Sequence, residues 1–389
     1  MLEKTALFNL GFRPFFLGAG IFAILSITLW MGVYLFQFPL PMTRISHIQW
    51  HGHEMIYGFS MAVIAGFLLT AVKNWTGVQT LHGSKLFALF SLWMLGRILF
   101  LFGERFIFIA AILDIIFLIG LTIAVAYPII RVKQWKQMII VAQLVLFTVT
   151  SGFFCLGVAG MVEHGVYWSL YGGLYLIIGL IFIMGRRVIP FFIEVGVGYP
   201  VKPLNYKWVD LSSPVLYLVF LVTAVLMMDR QWTAFFAAGL FVVTSVRLLG
   251  WHTVGIWKKP LLWSLFIAFL FIDLGFLLIA LSPVLNLPIM PVIHAFSFGG
   301  IGLITLSMMA RVSLGHTGRN VQNPPRAMAF AFLALIFGTV IRVIFPLINP
   351  SGYLTWIAIS QILWITAFLI FVVIYSPMLI KPRMDGQFG

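Results

Sequence analysis

His51, within Trp50-His51-Gly52-His53-Glu54-Met55, His164 and His294 stand at or near one end of three hydrophobic segments, the second, sixth and tenth along the chain. An imidazole inside a membrane is costly to leave unpaired, so its recurrence every fourth segment at one depth points to side chains converging on a metal. In segment 2, His47 precedes His51 by four residues, and Glu54 and Met55 follow it by three and four. All four share one helical face if the helix begins early, whereas His53 points about 200° away from His51 and would serve a different centre. The single Cys155 excludes an internal disulfide and a thiolate cluster, so a metal here takes imidazole, carboxylate or thioether. The competing reading is an interfacial belt of polar side chains with Trp50 and Tyr57 at headgroup level, and Glu163-His164-Gly165 as a simple turn. His82 and His316, beside glycines, have the character of loop residues.

The elements that must position these residues follow from composition. Apolar residues make up 62% of the chain and charged residues 9%, and apolar runs of about twenty residues, enough to cross a bilayer, succeed one another from end to end. The sequence predicts an all-α polytopic membrane protein of about twelve transmembrane helices, forming a single integral membrane domain over residues 1–389. The longest polar stretch, Pro190 to Trp208, is too short for a core of its own. The first segment is too long for a signal peptide and is expected to be retained.

The net charge of +14 is a topology signal. Eighteen Lys and Arg residues fall in the N-terminal region, the even-numbered loops and the tail, while the intervening loops hold only Arg44, Arg105 and Arg230. That asymmetry puts both termini in the cytoplasm and His47, His51, His53, His164 and His294 in the outer part of the membrane. The excess charge then faces anionic lipid, and no basic-aromatic stripe argues for nucleic acid.

Further polar residues lie inside the segments. Arg97 and Arg342 fall near the outer ends of segments 3 and 11, at the height where the carboxylates of a haem held by His51 or His53 and by His294 could project. The alternative is interhelical salt bridges with Glu54 or Asp114. Asp114 and Asp273 are nearer mid-membrane and Arg247 lies toward the inside, and each calls for a partner.

Phe12-Arg13-Pro14-Phe15-Phe16, Trp50 through Met55, Gly185-Arg186-Arg187-Val188-Ile189-Pro190, and the stretch from His294 through Ala310-Arg311-Val312-Ser313-Leu314-Gly315-His316-Thr317-Gly318-Arg319 together resemble the NnrS family. That resemblance implies a multi-pass protein of the bacterial inner membrane, associated with haem, of b type, and with copper, and acting in the response to nitric oxide. A more distant similarity, to the catalytic subunit of haem-copper oxidases and nitric-oxide reductases, implies a bundle of that kind with metal ligands at the outer ends of its helices. By position it gives His51 and His294 haem roles and His164 a copper role. Segment 7 has no histidine pair and segment 10 has one histidine instead of two, which puts a complete binuclear centre and oxygen reduction in doubt.

Three function classes follow. The first is a haem- and copper-binding protein meeting nitric oxide or a nitrosyl species, with His51, His53, His294, Arg97 and Arg342 at the haem and His47, His164, Glu54 and Met55 as metal ligands. An electron donor would be a quinol or a respiratory-complex partner. The second is a secondary transporter coupled through Asp114, Asp273 and Arg247. The third is an assembly factor delivering haem or copper to a respiratory complex.

Overall fold

A computed structural model describes residues 5–389. Among them are twelve helices long and apolar enough to cross a membrane: α1 (Phe12–Phe36), α2 (His47–Thr76), α3 (Gly83–Leu101), α4 (Gly103–Arg131), α5 (Trp135–Val158), α6 (Gly165–Gly196), α7 (Lys207–Leu226), α8 (Arg230–Trp251), α9 (Pro260–Leu285), α10 (Ile289–His316), α11 (Ala327–Ile348) and α12 (Pro350–Ile380). No strand occurs among the described residues. Every hydrophobic segment expected from the sequence coincides with one of these helices. The polar stretch expected from Pro190 begins later, because α6 stays helical as far as Gly196. A proline removes one backbone hydrogen bond but does not end a helix whose next turn is packed. Ile193 is buried here, and Gly196 lies against Leu262.

The helices group into two compact units. Unit 1 comprises Met1–Leu176, Met309–Val321 and Phe368–Gly389; unit 2 comprises Ile177–Met308 and Gln322–Ala367. Within unit 1, α2 is the most enclosed helix. Its own Trp50 joins a block of buried side chains from Trp30, Ile45, Phe100, Ile107 and Phe154. The helix starts early, at His47, because Ser46 and Gln49 form a reciprocal cap: the Gln49 N–H donates to Ser46 Oγ at 3.2 Å and the Ser46 N–H to Gln49 Oε1 at 2.8 Å.

Two of the wide helical turns bear on the histidines. In α2, residues Glu54–Ser60 form a π-helix directly after His53, and the Ser60 hydroxyl donates to the Met55 carbonyl at 2.8 Å. In α10, residues Ala295–Gly302 form a π-helix directly after His294. Such segments concentrate at functional sites. Glycine makes the close approaches possible. A Cβ on Gly58 would lie 2.6 Å from Phe22 and 3.1 Å from Arg97, and one on Gly300 would lie 2.5 Å from Ile272.

Arg13 has a role that charge counting does not foresee. As a basic residue ahead of segment 1 it counts toward topology, yet it is fully buried in the first turn of α1. Its guanidinium donates to the carbonyls of Leu379 at 2.7 Å, Lys381 at 2.8 Å and Met378 at 3.2 Å. These carbonyls belong to the end of α12 and its exit, where no helical N–H follows to satisfy them.

Candidate functional site

The site residues of unit 1 gather around the start of α2. His53 and Glu54 lie in its second turn, Arg97 near the end of α3 and Asp114 on α4, and none of the four side chains is more than 4% exposed. Arg97 Nη1 donates to Glu54 Oε1 and its Nη2 to Asp114 Oδ1. His53 lies between the same two carboxylates: Nδ1 is 3.1 Å from Glu54 Oε1, and Nε2 is 3.6 Å from Asp114 Oδ2. The four side chains thus make a ring of carboxylate, guanidinium, carboxylate and imidazole that is hydrogen-bonded on three edges. Its fourth edge, between His53 and Asp114, is just beyond hydrogen-bond reach, and both facing atoms lack another partner.

Aromatic rings seal this ring of charges. The His53 ring has centroid distances of 4.1 Å to Phe154, 4.6 Å to Phe100 and 4.9 Å to Tyr57, and the Arg97 guanidinium lies over Phe100. Tyr57, whose hydroxyl is 2.9 Å from Ser169 Oγ, closes another side. In such surroundings an unpaired charge is far more costly than a paired one, which is why two carboxylates and an arginine occur together here.

The other candidates of unit 1 stand apart from that ring. His51 stacks on Trp30, with a centroid distance of 4.7 Å and an interplanar angle of 6°. Met55 sulfur accepts a hydrogen bond from Ser26 at 3.7 Å. His47 is exposed, with Nε2 at 3.0 Å from the Leu40 carbonyl. His164 is exposed in the turn before α6, its ring 6.1 Å from Trp168. His316 is the last residue of α10, not a loop residue, and its ring lies 5.7 Å from Phe12. Among the described residues, no group of three or more His, Cys, Asp or Glu side chains is arranged to hold a metal ion.

In unit 2 the structure brings His294 and Arg342 together. His294 Nδ1 is 2.7 Å from the Met290 carbonyl, and its Nε2 is 3.2 Å from Arg342 Nη2. A carbonyl can only accept, so Nδ1 carries the hydrogen and Nε2 presents a lone pair to the guanidinium. This is the arrangement in which a histidine is oriented by its backbone and left with one basic nitrogen. Arg342 also lies over the Tyr353 ring, 6.0 Å from its centroid. Elsewhere in the unit, Arg247 donates to Ser213 Oγ at 2.9 Å and reaches Asp210, which Arg186 also contacts at 2.9 Å.

Fold and site together define a multi-pass all-α membrane protein whose buried polar side chains are organised by α2 in one unit and α10 in the other. The chain belongs to the NnrS family: the family model described as NnrS protein matches residues 6–383, nearly its whole length. No curated protein matches it.

Proposed function

We propose that this protein is a haem-binding protein of the bacterial inner membrane that acts in the response to nitric oxide, with His294 as an iron ligand. The observation that carries the reading is the pairing of His294 Nδ1 with the Met290 carbonyl, which leaves Nε2 as the basic nitrogen that iron requires. Arg342 donates to that nitrogen in this structure, and iron binding there would displace the guanidinium, which could then take a haem carboxylate through a charge-assisted, forked hydrogen bond. Haem bound there would supply an iron able to take nitric oxide. The distribution of basic residues supports an orientation with His294 toward the periplasm and both termini in the cytoplasm.

The donor set narrows the remaining assignments. His53 does not fit an iron ligand, since both its nitrogens are directed at carboxylates and three aromatic rings pack around it. Glu54 and Arg97 are engaged in the same ring of charges. His47 and His164 are exposed and separately engaged, His47 with the Leu40 carbonyl and His164 beside Trp168, so haem is what carries the proposal, and copper stays a secondary part of it.

The test is the visible spectrum of protein purified from haem-replete cells. A Soret band that shifts on addition of nitric oxide is the expected result, together with its loss or conversion to a different coordination state in His294→Ala. A folded His294→Ala protein with an unchanged haem spectrum would remove His294 from the iron. Absence of haem from the wild-type protein would remove the function itself.

A further inference from the structure

Asp273 sits near the middle of α9, thirteen residues from its start and twelve from its end, and is 5% exposed. One carboxyl oxygen, Oδ2, is 2.6 Å from Ser245 Oγ on α8. The other, Oδ1, is buried without a hydrogen-bond partner. Among the described residues, the cations on elements packed against α9 are turned elsewhere or stand at its ends: on α6, Arg186 contacts Asp210 and Arg187 is exposed, and on α10 Arg311 lies a turn beyond Ser307, which meets Ser264 near the start of α9. On α8, Arg247 is turned to Asp210 and Ser213, and Arg230 donates to the Ser282 carbonyl. On the short turn before α9, Lys258 is exposed. On α10 and α11, His294 and Arg342 face each other. The π-helical part of α10 that packs on α9 carries no charged residue and brings Gly299 and Gly300 against Phe271 and Ile272.

We infer that Asp273 and Ser245 form a proton-binding site in the middle of unit 2, occupied at neutral pH. An ionised carboxylate in this position would have a single hydroxyl donor for two oxygens and no counter-charge, which the membrane interior penalises more than a neutral acid. Protonation removes the charge without moving a heavy atom: the acid O–H on Oδ2 donates to Ser245 Oγ across the same 2.6 Å, and Oδ1 becomes a neutral carbonyl oxygen. A metal cation is the poorer occupant, because hard cations take six or more oxygen ligands and only the carboxylate and one hydroxyl converge here. A neutral acid at mid-span that can release its proton is what a proton-coupled step in a membrane protein uses. The inference is independent of haem.

Infrared spectroscopy of the purified protein tests it directly. The difference between wild type and Asp273→Asn at neutral pH should contain the carbonyl stretch of a protonated carboxylic acid. Ser245→Ala should move that band without abolishing it, and in wild-type protein carrying carbon-13 aspartate the same band should shift. These last two measurements decide the matter if Asp273→Asn fails to fold. A difference spectrum with carboxylate stretches and no acid carbonyl band, or an acid band insensitive to both Ser245→Ala and aspartate labelling, would overturn the assignment.

Discussion

Replacing Arg97 with Met removes the one guanidinium that both Glu54 and Asp114 engage, while keeping most of the side-chain volume. Arg97 is 4% exposed and its two partners 2% and 1%. Removing one member of a buried pair costs about 3–5 kcal/mol, because the charge left behind has lost its counter-ion without regaining water. Two carboxylates are stranded here, so Arg97→Met should fall at the upper end, about 5 kcal/mol, or force protonation of one of them. Arg44 and Glu104 provide the contrast: they pair at 3.0 Å with side chains 48% and 30% exposed, and Arg44→Ala should be nearly indistinguishable from wild type. Reversible unfolding in mixed micelles with a denaturing detergent, followed by helical circular dichroism, measures both. Combining Arg97→Met with Glu54→Gln and Asp114→Asn should recover most of the loss, since an uncharged set has nothing to strand. If Arg97→Met lies within about 1 kcal/mol of wild type, the range of an exposed pair, or if the neutral triple variant is no more stable than the single one, the ring of charges is not what holds these helices together.

Other outcomes follow from the same geometry. Arg13→Ala should destabilise by about 3 kcal/mol, the scale of a lost charge-assisted hydrogen bond left with unsatisfied carbonyls, and amide hydrogen exchange should quicken around Leu379. A reporter fused after Pro382 should be active only in its cytoplasmic form and one inserted near Glu163 only in its periplasmic form; the reverse pattern would invert the topology. In the tail, the Arg383 fork holds the Asp385 carboxyl down to about 2, so that contact is present above the ordinary aspartate range and is lost as pH falls through 2. A carboxyl chemical-shift titration of Asp385 reads this, and an ordinary midpoint would show that the fork does not form in solution. For metals, the exposure of His164 predicts that His164→Ala leaves the metal content of the protein unchanged, and a drop in copper per protein would show His164 to be a ligand.

How far the sequence reached depends on the kind of signal. Hydropathy locates all twelve helices because each needs its own apolar run, whatever its neighbours are. Polar residues inside such runs are conspicuous, so His53, Glu54, Arg97, Asp114, His294 and Arg342 all stood out. Which of them meet was not legible, because that depends on helix rotation and packing. Glu54 and Asp114 appeared as alternative partners for Arg97, and the structure gives it both. Arg13 was counted with the loop charges because Phe12-Arg13-Pro14 looks like a flank, and only the close return of α12 shows that its guanidinium has carbonyls to satisfy. The π-helical turns have no compositional mark of their own. Glycines within Ala295–Gly302 suggested close packing, but not a change in the hydrogen-bonding pattern.

Those wide turns also fix a phase. An α-helix advances about 100° per residue, and a π-helical segment accommodates the equivalent of one extra residue without lengthening the run much. Everything on the N-terminal side of Glu54–Ser60, including His51 and His53, is therefore rotated by about a quarter-turn or more relative to the regular helix that follows from Met61. A substitution that closed Glu54–Ser60 into ordinary α geometry at unchanged length would swing His53 out of line with Arg97 and Asp114. Removing one residue there, Ile56 for instance, would let the segment close while keeping His53 in phase with the helix that follows. A one-residue insertion in the regular helix just after Ser60 should thus be as damaging as the loss of a charge, while the same insertion in the exposed turn near Glu163 should pass almost unnoticed.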